Sequence, residues 1–177
     1  MGEDRQTRWL GKYLAIHTQG RWEYVSRVRG IGAAAILAID EDESGAPHVI
    51  LVEQYRVPLG ANCLELPAGL VGDEEEGEAV ATAAGRELEE ETGYRAGRLE
   101  NLGRFSSSPG MTSETFTLLR ATALEKVSDG GGTAHEEIVV HRVALSEIAA
   151  FVEAKRREGC EIDVRVLALL GAGFLAR

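Results

Sequence analysis

Residues 78–92 limit what this chain can fold into more than any other stretch. They are rich in Ala and Glu and stop at Gly93, the pattern of an α-helix ended by a glycine. At about 3.6 residues per turn, Val80, Ala84 and Leu88 recur at i, i+4 and i+8 and form an apolar stripe. Glu87, Glu90 and Glu91, at i, i+3 and i+4, put three carboxylates on the face beside it. Such a helix has to lie on an apolar surface along one stripe and leave its acids uncovered. Like charges at this spacing repel by about 0.2–0.5 kcal/mol per exposed pair. A solvated acidic face supported by Arg86, four residues before Glu90, is the common arrangement; a hard divalent cation, which takes oxygen ligands, is the other one open to this spacing.

The surface for the helix to lie on is foreshadowed by short apolar runs. Residues 31–39 and 48–53 read as two strands joined by a turn at Asp40-Glu41-Asp42-Glu43-Ser44-Gly45. Strands are expected near 98–105, 115–123 and 137–143, and Trp22–Val28 alternates well enough for another. The glycine run 130–132 reads as a flexible loop, and helical patterns follow at about 145–157 and 163–175. This order describes an α/β or α+β layered domain, with helices packed on a mixed sheet. The expected organisation is a small N-terminal β region over residues 1–30 and a main domain over 31–177.

The formal charge of −10 argues against a nucleic-acid partner, since that binding draws on clustered Lys and Arg. A phosphate-bearing small molecule remains open, because divalent cations on gathered carboxylates invert the local field. Cys63 and Cys160 lack metal-ligand spacing and read as ordinary thiols. No apolar run approaches the roughly 20 residues needed to span a bilayer. The polar start Met1-Gly2-Glu3-Asp4 is unlike a secretory signal, so the chain is read as cytoplasmic, with no membrane partner.

The full pattern around the helix runs Gly72, five residues, Glu78, seven residues, Arg86-Glu87-Leu88, then Glu90-Glu91, Gly93 and the large apolar Tyr94. It resembles the complete Nudix box. The resemblance implies an α/β/α sandwich in which Glu87, Glu90 and Glu91 hold Mg²⁺, or Mn²⁺, at a diphosphate. Glu90, Glu91 and Arg86 then belong to the catalytic set, with Arg86 orienting one of the acids and Glu78 supporting the loop. The backbone carbonyl of Ala68, in Pro67-Ala68-Gly69, is implied as a further metal ligand. One departure stands out: Gly69 lies nine residues before Glu78, against six in relatives, which fits a three-residue insertion within Gly72 to Gly77.

Beyond the box, Val52–Arg56, Leu64–Gly69, Pro109 in Ser108-Pro109-Gly110-Met111, and Asp163-Val164-Arg165-Val166 are similar to segments of the ADP-ribose and ADP-sugar pyrophosphatases. That likeness implies cleavage of ADP-ribose to AMP and ribose 5-phosphate. It also implies adenine stacking by Trp9 and Trp22, phosphate contacts from Arg27 and Arg56, a ribose or adenine contact from Glu65, and a substrate contact from Met111. Planar guanidinium forks suit phosphate oxygens. The base that takes the proton of the attacking water is expected at Glu136 or Glu137, just after the glycine run. In relatives the N-terminal strands cross to a second subunit, so a homodimer is implied. Two other readings are carried forward: a pyrophosphatase for another nucleotide-sugar such as GDP-mannose, and a binding module that does not cut. A module of that kind would be expected to lose box acids, and all three are kept.

Overall fold

The computed structural model describes residues 4–28, 32–72, 77–133, 137–167 and 169–171. The chain opens with three short strands, β1 (Gln6–Leu10), β2 (Leu14–Gln19) and β3 (Trp22–Arg27). It continues through β4 (Gly32–Glu41), β5 (Pro47–Arg56), β6 (Ala61–Glu65) and β7 (Ala68–Val71) to helix α1 (Val80–Thr92). Then come β8 (Tyr94–Ser106), β9 (Thr115–Lys126), β10 (Val139–Ala144), α2 (Ile148–Arg157), the two-residue β11 (Glu161–Ile162) and a 3-10 turn at Val164–Val166.

Strands β1, β2 and β3 form a separate antiparallel sheet, and the rest form a mixed sheet in the order β11-β6-β5-β4-β9-β8, with β10 on β5 and β7 on β4. The pairings β4–β9 and β6–β11 are parallel. Strand β5 carries the unbroken apolar run Val49-Ile50-Leu51-Val52 because both its faces are covered. Val49 and Leu51 pack under α2 with Leu64, Leu66, Ile148 and Val152. Ile50 packs on the other face with Ala34, Ile36, Ala38, Ala84 and Leu88. The alanines of β4 and α1 are small, so the helix can settle close to the sheet along its Ala84–Leu88 stripe.

Strands β4 and β5 pair only over Ala38–Glu41 with Pro47–Ile50. Beyond that point β5 continues with β6, and β4 continues with β7. The Leu66-Pro67 link crosses between them, its Pro67 carbonyl accepting from the Ile36 N–H at 2.8 Å. This exchange of partners brings Ala68 and Gly69 against the acidic side of α1.

Helix α1 ends at Gly93 in the left-handed region, φ 71°. The glycine run has a definite place here. The Gly131 and Gly132 N–H groups donate to the Glu91 and Glu90 carbonyls at 2.9 and 3.0 Å, satisfying the last turn of the helix. A Cβ on Gly130, at φ +70°, would overlap the Thr92 and Gly93 backbone. The expected helix at 163–175 begins instead as a 3-10 turn, capped by Asp163 accepting from the Arg165 N–H. Its continuation past residue 171 lies outside the described residues. Among the described residues, no helix is long and apolar enough to cross a membrane.

On the α2 side, half-buried Glu53 accepts from Lys155 Nζ at 3.0 Å, His141 Nε2 at 2.9 Å and Asn62 Nδ2 at 3.0 Å. Burial raises its pKa, but these hydrogen bonds outweigh that and hold it below the ordinary 4.5. A depressed folded value means the stabilisation is present above the unfolded pKa and is lost as pH falls through the folded one. Glu53→Gln is therefore expected to lower stability by about 1–3 kcal/mol at neutral pH. The gap from the native chain should close in urea titrations as pH drops below about 4. A gap that stays constant with pH would show that the charge of Glu53 is not what stabilises this network.

Candidate active site

The Pro67-Ala68-Gly69 segment lies directly on the acids of α1. The Ala68 N–H donates to Glu91 Oε2 at 3.1 Å, which holds this buried carboxylate in place. A Cβ added at Gly69 would overlap the carboxyl group of Glu87. The segment thus needs a glycine because a carboxylate occupies the space a side chain would take.

These residues form one wall of a cleft of about 640 Å³, which Arg27, Arg56, Cys63, Glu65, Glu87, Glu91, Glu114, Asp163 and Arg165 also line. Three arginines face five carboxylates, so the cleft is net negative. Glu65 is buried and accepts from Arg56 Nε at 2.6 Å and Nη2 at 2.8 Å, a bidentate pair. Arg165 Nη2 reaches the same carboxylate at 3.3 Å, and its fork is engaged by Asp163 at 2.7 and 3.0 Å. Arg27 pairs with Glu114 at 2.5 Å. Burial, with Glu65 and Asp163 adding to it, pushes the Cys63 thiol up to about 12, so it is no thiolate nucleophile at neutral pH.

Residues one apart on a helix diverge by about 100°, and the three glutamates separate accordingly. Glu87 and Glu91 face the cleft. Glu90 lines the neighbouring groove with Arg86, Glu89 and Arg95. Arg86 is a hub: its guanidinium lies 3.2 Å from Glu87, 3.4 Å from Glu90 and 3.6 Å from Glu78. Among the described residues no cluster of three or more His, Cys, Asp or Glu side chains forms a ready metal cage. The donors present still suit Mg²⁺, which binds through one or two carboxylates, with waters and substrate phosphates completing its shell.

Of the expected substrate residues, the cleft gathers Arg27, Arg56 and Glu65. It does not gather Trp9, Trp22 or Met111, which stand well exposed. Trp9 and Trp22 lie on β1 and β3, and Met111 lies beside β3, where its carbonyl accepts from the Val25 N–H at 2.9 Å. Glu137 is exposed, and Glu136 lies outside the described residues.

A NUDIX domain model matches residues 29–161, about three quarters of the chain. The chain belongs to the Nudix family. Among the proteins it is similar to, the "Methanol dehydrogenase activator" of Bacillus methanolicus is 38% identical over 73% of this chain. An "ADP-ribose pyrophosphatase" of Bacillus subtilis is 35% identical over 72% of it. In each case the match spans 66% of the relative's own length. A solved structure described as "Crystal structure of ADP compounds hydrolase" superposes with a TM-score of 0.72 at 23% identity, covering 99% of this chain and 94% of that one. That likeness is one of fold, over nearly the whole of both chains.

Sequence reasoning missed Arg165, Asp163 and Glu114 as cleft residues. The Asp163–Arg165 spacing carried one usable signal, an acid placed to cap a short helical turn. Nothing local marks Glu114, which reaches the cleft because the connection between β8 and β9 is hydrogen-bonded to β3 through Val25.

Proposed function

We propose that this Nudix protein hydrolyses the pyrophosphate bond of ADP-ribose or related ADP-sugars, giving AMP and a sugar phosphate. The observation that carries this reading is the cleft itself, which Arg27, Arg56 and Arg165 line together with Glu87, Glu91 and the Ala68-Gly69 segment. The name of the Bacillus subtilis relative, an ADP-ribose pyrophosphatase, supports the substrate class.

In the proposed reaction Arg27 and Arg56 bind the diphosphate oxygens, and Glu91, fixed by the Ala68 N–H, and Glu87, packed on Gly69, would hold a divalent cation, Mg²⁺ or Mn²⁺. The Ala68 carbonyl is a further donor for it. When bound, the cation neutralises phosphate charge and lowers the pKa of a coordinated water. Arg86 holds Glu87 and Glu90 in place. A water attacks one phosphorus, the bridging P–O bond breaks, and Glu136 or Glu137 takes the proton of that water. Trp9, Trp22 and Met111 would meet the adenosine end only with a second copy of the chain. The exposed apolar side chains of the N-terminal sheet, Trp9, Leu10, Leu14, Ile16 and Trp22, support such a homodimer. A monomer mass in light scattering would remove this part of the reading.

The test is phosphate release from ADP-ribose and from GDP-mannose, with Mg²⁺ and a phosphatase that acts on the products. Cleavage of ADP-ribose with a clear preference over GDP-mannose is the expected result. The reverse preference would move the substrate to another nucleotide-sugar. Binding of ADP-ribose without cleavage of either would leave a binding module.

A further inference from the structure

We propose that Arg165 is a positioning residue for this cleft, acting through Glu65 to aim the guanidinium of Arg56 at an oxyanion of the substrate. The inference rests on the diphosphate reading of the site. Glu65 is 3% exposed, whereas the Arg56 side chain is 41% exposed. The pair is therefore a buried anchor carrying a half-open head. Because Glu65 takes Nε and Nη2 of Arg56, the Nη1 side of the fork is left for the cleft.

A carboxylate held by one arginine can still rotate with it. Arg165 removes that freedom by contacting the Oε2 that Arg56 Nη2 also uses. Arg165 is itself clamped by both oxygens of Asp163 and lies over the Phe116 ring at 5.8 Å. The Asp163 N–H donates to the Leu64 carbonyl at 3.0 Å, and β11 pairs with β6 over Cys63 and Leu64. Asp163, just after β11, and Arg56, on β5, thus stand on the two sides of β6, which carries Glu65.

Two readouts test this. The first is a double-mutant cycle in ADP-ribose cleavage. Arg165→Ala should raise KM about tenfold with kcat within about threefold, and should raise it no further in an Arg56→Ala background. The second is the Arg56 Nε–H proton resonance of the whole protein without substrate, assigned by its loss in Arg56→Ala. Its solvent exchange should quicken at least about tenfold in Arg165→Ala. Arg165→Lys keeps the charge but loses the fork, and is read the same way should the alanine variant fail to fold. Equal KM changes in both backgrounds, or an Arg56 Nε–H indifferent to residue 165, overturn the proposal. If the native chain leaves ADP-ribose uncut, the substrate reading falls, and the Arg56 signal still decides whether Arg165 positions it.

Discussion

Glu91→Gln is expected to slow ADP-ribose cleavage by about 10²–10³-fold, a loss of the size seen when one preorganised charge-stabilising group is removed. The substitution keeps shape, and a glutamine oxygen can still accept the Ala68 N–H. What it removes is a negative charge in a water-poor corner of the cleft, where a cation at the diphosphate depends on it. Glu87→Gln should fall by a similar factor. Glu90→Gln should fall by about tenfold, the lower end of the range for a group that supports a ligand without binding the metal, because its carboxylate is turned toward Arg86 outside the cleft. Thermal melts with and without Mg²⁺ accompany the rates. The native chain should be stabilised by the cation, and Glu91→Gln should lose most of that shift while staying folded. Equal losses in all three variants would mean that the separation of Glu90 from Glu87 and Glu91 does not govern the reaction.

Gly69→Ala should cost about 10²-fold in activity, as misplacement of a reacting group does, with a stability change of no more than about 1–3 kcal/mol. The strand conformation at position 69 accepts alanine, since its φ is not in the left-handed region. The nearest atoms to the added methyl group all belong to the Glu87 side chain, two of them to its carboxyl group, and the methyl displaces it. Gly32→Ala is the control. It lies on β4, the strand that pairs with Gly69 through Ala34, and a Cβ there meets nothing within 4 Å. Activity of Gly32→Ala should stay within about twofold of native. If Gly69→Ala is equally active, then Glu87 has room to hold its cation in another position, and the close approach at Gly69 is packing alone.

Helix α1 was legible because its signals are local: a 3.6-residue apolar stripe, acids beside it and a glycine at its end. Strands β4, β5, β9 and β10 were legible for the same reason, as apolar runs or alternations. Strands β6, β7 and β11 were not, since each is short and owes its existence to a partner distant in sequence. The glycine run looked like a plain loop because the helix end it caps lies some forty residues earlier in the chain.

The sequence by itself determined the family, the mixed α/β layering, and which helix carries the acids, because spacing along a helix fixes which side chains share a side. Tertiary structure alone decided which of those acids face the cleft. It also decided that Glu65 serves as an anchor between Arg56 and Arg165, and that Asp163 and Glu114 reach the site at all. These depend on where β4 and β5 exchange partners and on what the last strand lies beside. Such pairings are set by contacts between segments far apart in the chain, and no local pattern of residues encodes them.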